Sequence, residues 1–140
     1  MMMYREFKEM KQKEFNALPI MFAFSKEQMQ EQLKKHNATI EEIKVLGAGM
    51  FMKEKDLFLL DSWEARTEAM ENELMKNDDF VLDAFLYELR NHEYIITYEV
   101  DDALEVFGLD RDLVRNDKRL LSILNKAVRI IEKEDSCWNY

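Results

Sequence analysis

Glycine and proline are scarce in this chain: its 140 residues include three glycines and one proline. Turns in β-sandwiches and β-barrels use both residue types heavily, so their scarcity argues against those folds. Methionine, leucine, glutamate and lysine, which all favour helices, are plentiful. The sequence therefore predicts an all-α fold, a compact single-domain bundle of about six to eight helices over the whole chain. One minor short β pair is the addition left open.

Apolar residues recur at helical spacing in successive segments that are separated by short breaks. Pro19 ends the first segment, because proline disfavours helix at the residue before it. Ser25 with Gln28 is typical of a capping box, and Phe24 with Met29 is typical of the hydrophobic staple beside it. Helices are predicted over about residues 3–17, 26–36, 39–46, 57–76, 80–91, 102–107 and 118–133, with one brief turn after residue 110.

The segment 80–91 has the broadest apolar face in the chain. The residues of this face are Val81, Leu82, Phe85, Leu86 and Leu89. A helix that is apolar over so much of its circumference needs partners on several sides. We therefore expect it to be the central and most buried helix, with Asp78 or Asp79 as its N-terminal cap.

Two short segments lack helical spacing and are candidates for the minor β pair. They are MFMK at residues 50–53 and YIIT at residues 94–97. The branched residues of the second segment favour a strand. If both are strands, we expect them to pair with each other.

The net charge of the chain is −9, and it is unevenly distributed. Residues 54–110 hold seventeen acidic and four basic residues, whereas the two flanking segments are slightly basic. Phosphate neutralisation supplies most of the affinity of proteins for nucleic acid, so direct binding of nucleic acid is not expected. The expected partner is a host protein with a basic, nucleic-acid-binding surface.

In the predicted helix 57–76, carboxylates occupy the side opposite to the apolar stripe. Carboxylates along a helix can imitate the phosphates of nucleic acid and occupy a basic groove, because the two spacings are of the same order. The alternative is a solvated face that only keeps the protein in solution. The residues of this predicted partner-binding surface, the acidic face, are Asp61, Glu64, Glu68, Glu71 and Glu73.

The stretch FLYELRNHEY, residues 85–94, contains one of the two histidines of the chain. Glu88 and His92 are four residues apart and share one helix face, a spacing that suits two metal ligands or an acid–base pair. Zinc needs three or four ligands, and no further ligand stands at a telling spacing, so neither a metal nor a cofactor is expected. Two interpretations stay open for the end of the stretch: a site, or a helix end at which the dipole favours histidine. The residues concerned are Asn91, His92, Glu93 and Tyr94.

Cys137 is the single cysteine, so no internal disulfide is expected, which is typical of a reducing compartment. Without a positioned base this thiol is expected to be inert. The first residues carry frequent charges and are unlike a secretory signal. The longest apolar run, LPIMFAF at 18–24, is far shorter than the ~18 residues of a spanning helix. These features predict a cytoplasmic protein without membrane association.

The run LPIMFAF has two interpretations. Methionine and phenylalanine usually belong to a core, but exposed they form adaptable contact surfaces. In the second case we expect self-association through IMFAF, residues 20–24. The sequence leaves the oligomeric state open.

Four stretches occur in order along most of the chain: EFNALPIMFAFS, LGAGMFMKEKD, FLYELRNHEY and DDALEVFGLD. Together they resemble a family of small acidic proteins from bacteria and their phages, which carry GAGGF where this chain has Met50. The family has no known reaction, so the resemblance transfers no catalytic residue. It implies a mobile-element origin, and small acidic helical phage proteins are often inhibitors of host machinery, including CRISPR effectors.

The leading functional prediction is a non-enzymatic protein that binds a basic surface of a host protein through the acidic face. Its most concrete form is an anti-CRISPR-like or other anti-defence inhibitor. Two alternatives stay open. One is a small metal-dependent or acid–base enzyme centred on Glu88, His92 and Glu93. The other is a structural phage accessory protein that self-associates.

Overall fold

The computed structural model describes residues 2–136, with side chains described through residue 135. In this part of the chain lie eight α-helices and a small three-stranded sheet, and 69% of the structure is helical. The all-α prediction is confirmed, although the sheet has one strand more than the predicted pair. The α-helices are α1 (Tyr4–Asn16), α2 (Lys26–Lys35), α3 (Leu57–Leu74), α4 (Asp78–Asn91), α5 (Tyr94–Thr97), α6 (Asp101–Glu105), α7 (Arg111–Arg115) and α8 (Lys118–Ser136). The strands are β1 (Met21–Phe22), β2 (Ile43–Gly47) and β3 (Met50–Lys53), and two 3₁₀-helices span Ile40–Glu42 and Glu54–Asp56.

The described residues fall into two compact units. The inserted unit is Met10–Met70, and the terminal unit comprises the described residues of Met1–Glu9 and Glu71–Tyr140. Both boundaries fall inside helices, the first in α1 and the second in α3. The single-domain organisation expected from the sequence stays a prediction. No helix in the described part of the chain has both the length and the apolar character needed to cross a membrane.

The terminal unit is built around α4. The side-chain oxygen of Asn77 accepts the backbone N–H groups of Asp79 and Phe80 at 2.9 and 3.1 Å, so Asn77 is the N-terminal cap of this helix. The expectation that Asp78 or Asp79 caps α4 was therefore wrong. Both aspartates lie in the first turn instead, where the helix dipole also favours a negative charge.

Helix α4 buries residues at positions i, i+3, i+4, i+7 and i+8, which form a broad stripe on one side. These residues are Val81, Ala84, Phe85, Glu88 and Leu89, and Phe80 is buried beside them. Leu124, Ala127 and Ile131 of α8 belong to the same hydrophobic core. With six buried residues, α4 has more than any other described helix, which confirms the prediction that it is the most buried one.

The inserted unit holds the sheet and α2. Strand β3 lies between β1 and β2 and is antiparallel to both. The capping box at the start of α2 is confirmed, because Ser25 Oγ accepts the Gln28 N–H at 3.2 Å and Gln28 Oε1 accepts the Phe24 N–H at 2.8 Å. On α3, Thr67 is buried and its hydroxyl donates to the Trp63 carbonyl at 2.8 Å.

Two predictions of local structure were wrong. The segment 39–46 is not a helix, because only Ile40–Glu42 forms a 3₁₀ turn before β2 begins. Strand β2 then meets β3 through a tight turn at Ala48 and Gly49, whose φ angles of +53° and +78° match the turn that suits twisted hairpins. The segment YIIT is the single-turn helix α5, so β3 pairs with β1 and β2 and not with residues 94–97.

Candidate functional site

The stretch around His92 forms the end of α4 and the start of α5. Asn91 is the last residue of α4, and the backbone N–H of His92 donates to the Glu88 carbonyl at 2.9 Å. Glu93 then adopts a left-handed conformation with a φ of +56°, and Tyr94 begins α5. The backbone of this stretch is therefore a helix end followed by a sharp change of direction.

Three of the four side chains of this stretch line cavities, and they are divided between two of them. Asn91 lines a groove of about 650 Å³, whereas Glu93 and Tyr94 line a separate cavity of about 270 Å³. The His92 ring is half-buried. Tyr94 is buried, and its hydroxyl donates to Glu132 Oε1 at 2.9 Å.

Glu88 is the most unusual polar residue of the terminal unit, because its side chain is only 1% exposed. Its Oε2 accepts the Tyr4 hydroxyl at 3.3 Å, and its Oε1 faces the Lys8 ammonium at 3.5 Å. The Lys8 ammonium also lies 4.7 Å from the centroid of the Tyr87 ring. A buried carboxylate is tolerated only when it is paired or hydrogen-bonded, and the first turns of α1 supply both kinds of partner. We refer to Glu88, Tyr4 and Lys8 as the Glu88 cluster.

The Glu88 cluster joins the first turns of α1 to α4. Burial, followed by the negative charge of Glu88, raises the pKa of the Tyr4 hydroxyl far above its usual value. A general acid or base works best with a pKa near the working pH, so this shift takes Tyr4 out of the useful range. The backbone N–H of Tyr4 donates to Asp83 Oδ2 at 2.9 Å, which adds a third link between α1 and α4.

The groove of about 650 Å³ is lined by the first turns of α1 and by α4, and it carries both signs of charge. The lining residues are Met3, Arg5, Glu6, Glu9, Asp83, Tyr87, Arg90 and Asn91. Its two guanidinium groups already have neighbours, since Arg90 donates to both carboxylate oxygens of Glu134 and Arg5 lies 5.7 Å from the Tyr87 ring centroid. Among the side chains that the structure describes, no three or more His, Cys, Asp or Glu are grouped to hold a metal ion.

The alternative of an enzyme centre at Glu88, His92 and Glu93 stays a prediction. Glu88 contacts Tyr4 and Lys8, and neither of the two cavities described above is lined by all three residues. His36, the other histidine, is the C-terminal cap of α2 in the inserted unit. Cys137 lies outside the described residues.

The acidic face divides into carboxylates with different surroundings. Asp61, Glu64 and Glu68 are exposed on α3 in the inserted unit, and none of them pairs with a Lys or Arg among the described residues. Arg66 of the same helix is paired with Glu14 at 2.8 Å. The last two members belong to the terminal unit: Glu71 is half-buried, and Glu73 accepts a hydrogen bond from Lys76 at 2.7 Å.

One sequence signal for the Glu88 cluster was available. Glu88 stands within the apolar stripe of α4, three residues after Phe85 and one before Leu89, so helical geometry alone places its carboxylate toward the core. The identity of its partners was not available, since Tyr4 and Lys8 are 84 and 80 residues away in the chain.

Removing the Glu88 carboxylate should destabilise the protein. We expect Glu88→Ala to lower the free energy of unfolding by about 2–4 kcal/mol, because it leaves the buried Tyr4 hydroxyl without its acceptor and opens a cavity. Urea denaturation followed by circular dichroism measures the change. Glu93→Ala, which removes an exposed carboxylate from the same stretch, is the matched control and should cost less than about 0.5 kcal/mol. Equal stability of the two variants would contradict a structural role for the cluster.

The stability of the protein should fall at alkaline pH partly through Tyr94. Burial, helped by the hydrogen bond to Glu132, raises the pKa of Tyr94 to about 12 from its usual value of 10.0. The unfolded chain therefore loses this proton first, so the contribution to stability is complete below pH 10 and is lost as the pH rises toward 12. Urea denaturation between these two pH values should show a shallower decline for Tyr94→Phe than for the wild type. Identical slopes for wild type and Tyr94→Phe would refute the assignment.

Comparison with known proteins places the chain in a family. The model of a family of unknown function, DUF7659, matches residues 3–130, which includes α1 through most of α8. No curated protein and no solved structure matches the chain. The expectation of a family without known activity is confirmed, while the bacterial or phage origin stays a prediction. The chain thus belongs to the family of unknown function DUF7659.

Proposed function

We propose that the protein binds a basic, nucleic-acid-binding surface of another protein through three carboxylates of α3, namely Asp61, Glu64 and Glu68. The observation that carries this proposal is that all three are exposed on one helix and none has a cationic partner among the described residues. Carboxylates without an internal counter-charge remain available to an external one.

The spacing of the three carboxylates supports imitation of a nucleic-acid backbone. From Asp61 to Glu68 the helix rises about 10.5 Å, and the three side chains stay within about 60° of one another around its axis. Neighbouring carboxylates are thus about 4.5–6 Å apart along the helix, whereas one DNA strand carries a phosphate about every 3.4 Å of axis. The two charge densities are of the same order, so a groove built for phosphates offers cations at usable positions.

The charge of the whole chain works in the same direction. A net charge of −9 attracts a basic partner over long distances and disfavours direct binding of nucleic acid. Helix α3 is anchored by its own side chains, since Thr67 is buried and the Trp63 ring lies 5.5 Å from the Phe15 ring, centroid to centroid. A rigid helix presents its charges without a large loss of conformational freedom on binding.

The concrete form of the proposal is an anti-defence inhibitor, for example of the anti-CRISPR type. This step rests on the resemblance to acidic proteins of bacteria and phages and on no contact within the structure. Such an inhibitor would occupy the groove in which a guide or target strand lies, it would act in the cytoplasm, and it would catalyse no reaction.

Neutralising the three carboxylates should weaken capture of basic partners. We expect the variant Asp61→Asn, Glu64→Gln, Glu68→Gln to bind its partner about 10–100-fold more weakly, since each exposed ion pair is worth up to about 1 kcal/mol. Wild type and variant would be immobilised and exposed to a bacterial lysate freed of nucleic acid. Mass spectrometry should identify nucleic-acid-binding proteins among those captured by the immobilised wild type. Salt should elute these captured proteins.

The control variant changes the same number of charges elsewhere in the inserted unit. Glu27→Gln, Glu31→Gln, Glu41→Gln removes three exposed carboxylates from α2 and the 3₁₀-helix Ile40–Glu42 and should capture the same proteins as the wild type. Nucleic acid should compete with the wild type for the captured protein, so adding nucleic acid should release that protein. This mechanism is ruled out if salt does not weaken capture. It is also ruled out if the variant with the three neutralised carboxylates of α3 still captures the same proteins.

Self-association is the second candidate function, and the exposure of two aromatic residues favours it. Phe22 is 48% exposed and Phe24 is 79% exposed, although Met21 beside them is buried. The expected staple partner of Met29 thus faces solvent, and a Cβ added at Gly49 would lie 2.5 Å from Phe24 Cε1, so the ring rests on this glycine. Exposed aromatic side chains on a firm support are typical of protein contacts.

Light scattering at rising protein concentration tests this second candidate. Self-association through this surface predicts a mass above that of one chain, 16.9 kDa, and a return to it in Phe22→Ser, Phe24→Ser. The matched control is Phe58→Ser, which removes another exposed aromatic residue of the inserted unit. A wild type that keeps the mass of one chain throughout would exclude the candidate.

A further inference from the structure

Two residues with left-handed backbone conformation flank the single-turn helix α5 in the chain. Glu93 precedes it with a φ of +56°, and Tyr98 follows it with a φ of +57°. Residues other than glycine, asparagine and aspartate rarely adopt this region, and a bulky side chain there is a genuine outlier. Glycine would form the same turn without strain, as Gly108 does at a φ of +68°. The turn itself therefore does not account for a tyrosine at position 98.

The inner side of α5 is firmly held. Tyr94 is buried and hydrogen-bonded to Glu132, and Ile95 packs against the hydrophobic core. The backbone N–H of Tyr98 donates to the Tyr94 carbonyl at 2.7 Å. The rings of Tyr94 and Tyr98 meet edge to face, with centroids 5.8 Å apart. These contacts fix the direction in which Tyr98 leaves the helix.

The outer side of α5 carries two large apolar side chains. Ile96 is 71% exposed and Tyr98 is 62% exposed. We call these two residues the α5 knob. Tyrosine is enriched among the residues that carry most of the energy of protein interfaces, and a side chain that is already ordered loses little freedom on binding. Backbone strain that persists beside an exposed aromatic residue is typical of functional positions.

Carboxylates flank the α5 knob on both sides in the chain. Glu93, Glu99 and Asp101 are all exposed. Arg111 is the cation in contact with this group, and it donates to Asp101 at 2.7 Å and also to Glu99. Glu93 has no cationic partner among the described residues. The surroundings of the knob are thus net acidic.

We propose that the α5 knob inserts into an apolar depression on a partner protein whose rim carries lysine or arginine. The apolar side chains match the depression, and the flanking carboxylates match the cationic rim. The inference uses no residue of α3, so it stands or falls separately from the α3 carboxylates.

Selection from a library of ankyrin-repeat proteins with randomised concave surfaces tests this proposal. The full chain is the bait, and independent binders are sequenced and measured by surface plasmon resonance. We expect most binders to combine apolar residues with a lysine- or arginine-rich rim. Their affinity should fall at least about tenfold for Ile96→Ser, Tyr98→Ser and at least about threefold for Glu93→Lys.

Two further variants separate recognition from folding. Tyr98→Gly fits the left-handed turn without strain, so it keeps the fold and should still lose binding at least about tenfold. Val106→Ser, Leu113→Ser removes two other exposed apolar residues of the terminal unit and should leave binding unchanged.

Each result of these binding measurements either supports or overturns the proposal for the α5 knob. Binders that retain full affinity for Ile96→Ser, Tyr98→Ser overturn the proposal, and so do binders with acidic rims. Binders that lose affinity only when Asp61, Glu64 and Glu68 are neutralised overturn it as well, while they support the function proposed for α3. Binders that depend on the knob and ignore α3 support the knob and leave the function proposed for α3 to its own test.

Discussion

The terminal unit depends on the burial of the apolar stripe of α4 by other elements. A helix with a broad apolar stripe is stable in water only when other elements cover that stripe, and each large side chain buried there contributes about 2–3 kcal/mol. Helix α8 covers it with Leu124 and Ala127, and the first turns of α1 bring Tyr4 and Phe7 against Phe80, with ring centroids 5.9 and 6.2 Å away. The same enclosure takes Glu88 out of water, so the Tyr4 hydroxyl and the Lys8 ammonium take the place of water as partners of its carboxylate.

The helices could be predicted because their signals are local. Proline at position 19, the Ser25 cap and the apolar stripe of α4 each act within a few residues. The errors arose where tertiary contacts outweigh such signals. The predicted helix after Thr39 gives way to β2 because pairing with β3 satisfies its backbone, and the branched residues of YIIT adopt a helical turn because Tyr94 and Ile95 reach the core that way.

The candidate sites could be predicted from the sequence only in part. The position of acidic residues along α3 follows from the sequence, but the pairing of each charge does not. Glu73 has Lys76 beside it, whereas Asp61 has no such neighbour among the described residues. The strained tyrosine at position 98 left no sequence signal, because a φ angle depends on how both flanking segments are anchored.

The terminal unit also imposes an order of events during synthesis. Tyr4 and Lys8 are translated 84 and 80 residues before their partner Glu88. At about 5–20 residues per second, they wait roughly 4–17 s for it to be made. The inserted unit, Met10–Met70, is complete only for about the last fifth of that time, yet before Glu88 is made, so this unit can begin to fold while the start of α1 still exposes Tyr4 and Phe7 to chaperones. An early segment of the nascent chain is thus among the last to reach its native contacts.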